Sequence, residues 1–298
     1  MRIGVDVGGT KTLAVALDDA GRVIAEERRA TGWGPEAVVD GIVAVVTVVA
    51  GGARPDALGI GMPGQVSPDG VVRHALNLGI DVLDLAEVVG ARTGLRPVVE
   101  NDVRAAAVGA ASLLPGAGSI AYLNLGTGIA AGILRDGMPW RGARGAAGEI
   151  GHVSVDPAGP ACSCGQRGCI EALAGGAAVA ARWARPATFP VADVFDAAEA
   201  GDPLAAGLRA DVVRGVASAV QLLVLTADVD VVVLGGGVSH LGERLRDPVR
   251  TALATAASGS AFLGSLELAD RVVSTPRRAP VGARGAALLA GATAVTGV

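Results

Sequence analysis

Both halves of this 298-residue chain open with an apolar strand that ends in a glycine-rich turn. In the first half, the run Ile3 to Val7 leads into Gly8–Thr10, and a second strand pattern follows. In the second half, the run Ser119 to Leu125 leads into Gly126–Gly128, and again a strand pattern follows. A unit that occurs twice predicts two similar halves, each built on a sheet.

Helical periodicity alternates with these strands. The first half reads as strands at 3–7, 13–17, 23–29, 57–61 and 97–100, and as helices at 35–50, 83–93 and 102–114. The second half reads as strands at 119–125, 129–134 and 231–234, and as helices at 172–185, 191–200, 203–227 and 285–294. This order predicts an α/β protein with mixed sheets and helices on their faces. The stretch Leu114 to Gly118 is the expected hinge between the halves.

Composition excludes some classes of function. Hydrophobic residues make up 51% of the chain, aromatic residues 2%, and the net charge is −4. A nucleic-acid-binding protein needs basic and aromatic surface, so we expect no nucleic-acid partner. We expect no membrane partner either, because no apolar run reaches the length of a transmembrane helix. The N-terminus has no signal-peptide pattern, which predicts a cytoplasmic protein.

All three cysteines of the chain lie within one short loop, at Cys162, Cys164 and Cys169, and His152 precedes them. Three thiolates and one imidazole form a complete tetrahedral set for structural zinc. A disulfide with one spare thiol is the alternative, and the odd count and the expected compartment argue against it. The carboxylates of Glu149 and Glu171 flank this loop, so a metal there would fix both of them.

Three glycine loops follow predicted strands and could hold phosphate groups with their backbone amides. The first runs from Asp6 through Gly8, Gly9 and Thr10 to Lys11; Asp6 could hold Mg²⁺ through water. Its spacing differs from that of a P-loop. The other two loops consist of Gly126, Thr127 and Gly128, and of Gly235, Gly236 and Gly237. Each could be only a tight turn, but three together favour a nucleotide site that lines a cleft.

Two further turns lie at the ends of predicted strands. Glu100-Asn101-Asp102 follows an apolar run and opens a helix, so these residues could cap that helix or direct a carboxylate into the cleft. The stretch Gly59 to Gly64 matches G-x-G-x-x-G, but an extended segment follows where the dinucleotide fingerprint needs a helix. We therefore interpret it as a structural turn at the edge of the cleft.

Taken in order, these motifs resemble the ROK family (repressor, open reading frame, kinase) over essentially the whole chain. The resemblance implies the actin-like ATPase fold of the sugar kinase/Hsp70 class, with two α/β domains around an interdomain cleft. It implies a first domain at 1–114, joined by a C-terminal helix at about 283–298. It implies a second domain at 115–282 that holds the zinc loop and the dimerisation helices, hence a homodimer or homotetramer.

The resemblance also implies roles for single residues. Gly8, Gly9, Thr10, Gly126 and Thr127 match positions that contact phosphate, and the Gly235 to Gly237 loop matches the nucleoside side. The residues that match sugar-contacting positions are Gly64, Asn77, Asn101, Asp102, Glu149, His152 and Glu171, with Asp102 as the catalytic base. The implied activity is an ATP- and Mg²⁺-dependent hexose kinase that phosphorylates the 6-hydroxyl of glucose.

Two departures from the family pattern concern the site. Many relatives have Asn-Leu-x-x-Trp at the lip of the sugar site, whereas Asn77-Leu78-Gly79-Ile80-Asp81 contains no tryptophan. The second phosphate loop continues as Ile129-Ala130-Ala131-Gly132, where many relatives have more glycines. The small residues that remain predict that phosphate binding persists.

Three alternatives stay open on the sequence. The substrate could be N-acetylmannosamine, N-acetylglucosamine or another hexose. The protein could be a catalytically inactive sugar sensor, against which the presence of Asp6 and Asp102 argues. It could also be a sugar-sensing transcriptional regulator, since the family contains repressors. We expect no DNA-binding module here, because the first phosphate strand already begins at Ile3.

Overall fold

The structure is a computed structural model that describes residues 1–276 and 279–296. The chain divides into two compact units. The first unit comprises Met1–Gly116, Leu134–Ala146 and Arg278–Val298, and the second comprises Ala117–Ile133 and Ala147–Arg277. Each unit has its own hydrophobic core.

A five-stranded mixed sheet forms the centre of the first unit, in the order β3-β2-β1-β4-β8. Strand β1 pairs antiparallel with β2 and parallel with β4, and β4 pairs parallel with β8. The strands of this unit are β1 Arg2–Val7, β2 Lys11–Leu17, β3 Val23–Ala30, β4 Ala57–Met62, β5 Gln65–Val66, β6 Val71–Ala75, β7 Ile80–Asp84 and β8 Val98–Asn101. The five strands predicted for this half are therefore confirmed as strands.

Helices cover both faces of that sheet; they are α1 Pro35–Ala50, α2 Leu85–Thr93, α3 Asp102–Ala111 and α10 Val281–Thr296. Helix α10 lies directly on β1 and β4. A Cβ at Gly4 would lie 1.9 Å from the carbonyl oxygen of Ala283, and one at Gly59 would lie 1.9 Å from that of Ala286. Only glycine allows so close an approach of backbone to backbone. The C-terminal helix was predicted to run from about 283 to 298; residues 297 and 298 of that prediction lie outside the described residues.

A second, three-stranded sheet in the first unit was not predicted; its order is β5-β6-β7. The helix predicted at 83–93 is wrong at its start, because Leu83 and Asp84 belong to β7. The Asp84 side chain accepts a hydrogen bond from the backbone amide of Glu87 and so caps α2. Helical periodicity at 83–84 could not reveal pairing with a distant strand.

The second half of the chain holds another five-stranded sheet, in the order β11-β10-β9-β12-β13. Strand β12 pairs parallel with both β9 and β13. The strands are β9 Ile120–Leu125, β10 Ile129–Arg135, β11 Met138–Pro139, β12 Val231–Gly235 and β13 Val272–Ser274. The helices are α4 Ile170–Ala174, α5 Gly176–Trp183, α6 Pro190–Glu199, α7 Pro203–Ala227, α8 Glu243–Ser258 and α9 Ala261–Ser265.

The single helix predicted at 172–185 is in fact two helices, α4 and α5, which meet at Gly175. The amide of Gly175 still donates to the carbonyl of Glu171, but the amide of Gly176 donates to the carbonyl of Gly126. The chain leaves the first helix because its next amide groups bond to a distant loop. Sequence periodicity cannot contain that contact.

Helix α7 corrects a second expectation. Over the described residues, this 25-residue helix passes the test of length and hydropathy for a membrane span, with a mean hydropathy of 1.5. The expectation that no apolar run reaches the length of a transmembrane helix was therefore wrong. The helix packs its buried stripe, which includes Leu208, Val212 and Val220, into the core of the second unit. Core helices of globular proteins pass the same test.

Candidate active site

The carboxyl ends of β1, β4 and β8 bring three predicted site turns together in the first unit. Asp6 pairs in register with Gly61, and Gly61 pairs with Glu100. A Cβ at Gly61 would lie 3.4 Å from the Cα of Asp102. The pKa of Asp6 is raised to about 7, because burial disfavours its charged form and the Asp102 carboxylate repels it, while Lys11 acts in the opposite direction. A buried carboxylate beside a second carboxylate forms a suitable environment for a divalent cation.

Asn101 is the N-cap of α3. Its Oδ1 accepts from the backbone amides of Val103 at 3.1 Å and Arg104 at 3.2 Å. Its Nδ2 donates to the carbonyl oxygen of Gly64 at 3.2 Å. Of the two acidic or amide residues that could cap this helix, Asn101 therefore takes the capping position. Asp102 occupies the first helical position, where a carboxylate is stabilised by the helix dipole.

A buried ion cluster holds this turn from behind. Glu100 is 1% exposed and Arg104 is 4% exposed. One carboxylate oxygen of Glu100 lies 3.0 Å from Arg104 Nε and also accepts from the Asn101 amide at 2.9 Å. The other oxygen accepts from Arg141 Nε at 2.9 Å. We call Glu100, Arg104 and Arg141 the Glu100 cluster. Sequence reasoning missed both arginines. Neither belongs to a recognised motif, and Arg141 lies 41 residues from Glu100 along the chain.

The first glycine loop is closed by a hydrogen bond from the Gly8 amide to the Lys11 carbonyl at 2.9 Å. The loop lies beside Asn77, since a Cβ at Gly9 would be 3.2 Å from Asn77 Nδ2. The structure thus brings several predicted ligand-binding residues of the first unit to one region: Asp6, Gly8, Gly9, Gly64, Asn77, Asn101 and Asp102.

In the second unit, the other two glycine loops lie side by side. Strands β9 and β12 are parallel neighbours, and Gly235 pairs with Asn124. A Cβ at Gly236 would lie 2.6 Å from the carbonyl carbon of Leu125, just before Gly126. The loop at Gly126–Gly128 also accepts hydrogen bonds from the start of α5, through its Gly126 and Thr127 carbonyls. Adjacent strand ends in a parallel arrangement are a common position for ligand-binding loops.

Glu171 lies against the second glycine loop. Its Oε2 accepts from the Ile129 amide at 2.8 Å, and a Cβ at Gly128 would lie 2.4 Å from the same oxygen. Glu149 is exposed and precedes a short turn at Ile150–His152. That turn is held against β10, because the amide of Ala131 donates to the carbonyl of Gly148 at 2.8 Å.

The cysteine loop brings the four predicted metal ligands together. Ligand atoms of His152, Cys162 and Cys164 lie within 4.8 Å of one another. The Cys162 Sγ to His152 Nδ1 distance is 3.9 Å, and the Cys164 Sγ to Cys169 Sγ distance is 3.7 Å. In a tetrahedral Cys3His zinc site, two sulfurs are about 3.8 Å apart and sulfur and nitrogen about 3.5 Å. The two measured separations are close to these values, so the loop is a candidate site for such an ion.

The loop backbone positions these ligands through a few tight turns. The Gly165 amide donates to the Cys162 carbonyl at 3.0 Å, and the Cys162 amide donates to the Gln166 carbonyl at 2.8 Å. Hydrogen bonds from Gln166 lower the pKa of the exposed Cys164 thiol to about 6. Desolvation raises the pKa of the buried Cys169 thiol to about 12. A bound cation would favour the thiolate form of both.

A separate groove of about 450 Å³ lies along α7 and α8 and is lined by residues such as Arg209, Val213 and Leu253. None of the residues predicted from the sequence lines it. The predicted residues lie instead at the strand ends and loops described above.

Comparison with known proteins agrees with this arrangement of motifs. The sequence model of the family described as ROK matches residues 2–293 of the chain. The chain belongs to the ROK family. The resemblance inferred from the sequence is confirmed.

Among ROK relatives, the glucokinase of Thermotoga maritima is 33% identical over 308 residues, which cover 96% of this chain and 95% of that protein. The N-acetylmannosamine kinase of Vibrio cholerae is 31% identical over 246 residues, which cover 79% of this chain and 83% of that protein. Both matches extend over most of the two proteins compared.

Solved ROK structures show the same fold. The ROK hexokinase of Thermus thermophilus has a TM-score of 0.81 at 33% identity and covers 99% of both chains. A ROK family glucokinase of Streptomyces griseus, solved in complex with glucose and AMPPNP, has a TM-score of 0.80 at 32% identity and covers 98% of this chain and 99% of that one. The predicted actin-like ATPase fold with two α/β domains is therefore confirmed.

Proposed function

We propose that this protein is an ATP-dependent hexose kinase of the glucokinase type, which phosphorylates the 6-hydroxyl of glucose. The observation that supports it best is the register of β1, β4 and β8, which aligns Asp6 with the turn that presents Asp102. Glucokinase and hexokinase relatives that span nearly the whole chain also support it.

In this proposal Asp102 accepts the proton of the sugar hydroxyl as that oxygen attacks the γ-phosphate of ATP. Kinase catalysis of this kind depends mainly on positioning and charge stabilisation. The Glu100 cluster and the Asn101 cap would hold the base in place. We propose that the sugar also contacts Gly64, Asn77 and Asn101 of the first unit, and Glu149, His152 and Glu171 of the second.

The proposal assigns the backbone amides of the three glycine loops to ATP, with Thr10, Lys11 and Thr127 beside them. Asp6 would take part in holding Mg²⁺, which supplies neutralising charge on the phosphates when bound. The raised pKa of Asp6 supports this assignment, because a nearby cation would offset both the burial of the carboxylate and its repulsion from Asp102. Zinc would be a structural ion in the His152 and cysteine set.

The same proposal includes the domain bounds 1–114 with 283–298 and 115–282, and a homodimer or homotetramer, all on the family resemblance. It also includes a cytoplasmic location, on the N-terminal sequence pattern. Light scattering coupled to size-exclusion chromatography would measure the oligomeric state of the purified chain.

N-acetylmannosamine is the second candidate substrate, favoured by the Vibrio cholerae relative. A coupled assay of ADP release over glucose, mannose, fructose, N-acetylglucosamine and N-acetylmannosamine decides between them. We expect the highest kcat/KM for glucose, and phosphorus NMR of the product should show a 6-phosphate. If N-acetylmannosamine exceeds glucose by more than about tenfold, or about 1.4 kcal/mol, the glucose assignment is wrong and the kinase assignment stands. If no sugar stimulates ADP release, the kinase assignment is wrong.

A further inference from the structure

Trp33 is exposed to an unusual degree for a tryptophan. Its side chain is 72% exposed, although tryptophan is highly buried on average in folded proteins. It lies between Gly32 and Gly34, in the short segment that joins β3 to α1. The sequence motifs assigned no role to this residue.

The backbone on both sides of Trp33 is fixed to candidate site elements. On one side, the Thr31 amide donates to the Thr10 carbonyl of the first glycine loop at 3.1 Å. On the other side, the Gly34 amide donates to the Leu78 carbonyl at 2.8 Å. Trp33 therefore lies on a segment that connects the proposed phosphate loop to the turn that follows Asn77.

The indole ring rests against that turn. A Cβ at Gly79 would lie 2.8 Å from both Cε2 and Nε1 of Trp33, so the ring contacts the glycine directly. Gly79 has a φ of +70°, which glycine adopts without strain, and it leaves room for the ring. The same turn holds Asn77, which is adjacent to Gly9. The ring is thus placed beside a proposed sugar-contacting residue, with most of its surface open.

An indole offers a flat apolar surface with a polar N–H at its edge. A hexose in its ring form has an apolar face of C–H groups and a rim of hydroxyls, so the two surfaces are complementary. Specific pockets for polar ligands commonly combine aromatic surface with a few placed polar groups. The lip of the site, where the sequence Asn77 to Asp81 has no tryptophan, receives one from a different element of the first unit.

We propose that Trp33 contacts the substrate, with its indole stacked on the apolar face of the hexose held by Asn77. This inference rests on the proposed function, because it places a residue in the sugar site of that kinase. It assigns Trp33 to binding and orientation of the sugar and gives it no part in proton transfer.

The test compares Trp33→Ala with Trp33→Phe, and uses Phe189→Ala as the matched control. Phe189 is 75% exposed and precedes α6 in the second unit. We expect Trp33→Ala to raise KM for glucose by about tenfold with kcat within about threefold of wild type, since a contact made in ground and transition states alike changes KM. Trp33→Phe should recover most of the affinity, and Phe189→Ala should change neither constant.

Tryptophan fluorescence gives a second measurement that does not depend on turnover. The chain has two other tryptophans, Trp140 and Trp183. We expect glucose alone to shift the emission of wild type and Trp140→Phe, and not that of Trp33→Phe. A change in melting temperature reports any purely structural role.

The outcomes are distinct. If Trp33→Ala keeps the wild-type KM, or if Trp33→Phe keeps the full emission shift, the inference is wrong. It is also wrong if Trp33→Ala changes only the oligomeric state. If the wild type phosphorylates no sugar, the proposed function fails, and the binding of glucose seen by fluorescence still decides the position of Trp33.

Discussion

The turn at Glu100–Asp102 in the first unit and the loop at 149–171 in the second unit each present carboxylates that we propose to act on the sugar. They are held by different means. The turn is held by a helix cap and by the Glu100 cluster, whose Glu100 and Arg104 are almost fully buried. The loop is mostly exposed from 153 to 167, and ligand atoms of His152, Cys162 and Cys164 lie within 4.8 Å of one another.

The two regions therefore depend on their surroundings in different ways. The turn needs only groups of the chain, so its geometry should persist in any buffer that preserves the fold. The loop has little apolar burial of its own, so its geometry should depend on a bound cation, as in small structural zinc sites. Substitutions in the turn and in the loop test that contrast.

Asp102→Asn removes the proposed base and preserves its shape. We expect kcat to fall by about 10²- to 10⁴-fold, while the dissociation constant for glucose, measured by calorimetry, changes much less. Asp247→Asn, at an exposed carboxylate of α8, is the control and should leave kcat unchanged. A variant at Asp102 that keeps more than half of the wild-type activity would reduce this residue to a structural part of the turn.

Glu100→Gln tests the Glu100 cluster. The substitution leaves the Arg104 guanidinium buried without its carboxylate, so we expect the free energy of unfolding to fall by about 3–5 kcal/mol in urea titrations. Glu87→Gln breaks an ion pair with Arg96 in which both side chains are more than half exposed, and should cost less than about 1 kcal/mol. Equal losses in the two variants would mean that burial does not strengthen the cluster.

The metal content of the same Glu100→Gln protein tests whether the two regions are independent. It should retain about one zinc ion per chain, because its altered groups lie in the first unit and the ligands lie in the second. A loss of zinc in this variant would contradict the independence of the two regions.

Cys164→Ser, or removal of metal by a chelator, tests the loop. We expect elemental analysis to find about one zinc ion per wild-type chain and much less in the variant. The kcat/KM for glucose should fall by about tenfold or more, since Glu171 and His152 would lose their fixed positions. Ser163→Ala, at the exposed neighbour of Cys164, is the matched control and should keep both zinc and activity. Fully active, metal-free wild type would show that the loop needs no ion.

Much of the fold could be predicted from the sequence because its signals are local. The strand at 3–7, the helix Pro35–Ala50 and the helix Pro203–Ala227 follow from apolar periodicity and from prolines near helix starts. The β5-β6-β7 sheet and the break at Gly175 could not be predicted, because both depend on hydrogen bonds to distant segments.

Three features could be read from the amino-acid sequence: the ROK membership, the grouping of the cysteines with His152, and the strand-end motifs that contain Asp6 and Asp102. These features depend on residue type and spacing, which the sequence contains directly. Three other features required the folded chain: Asn101 caps α3, Arg104 and Arg141 both pair with Glu100, and Trp33 contacts Gly79. Each of these depends on strand register or on a close backbone approach between segments far apart in the chain, and such contacts leave no periodic signal in the sequence.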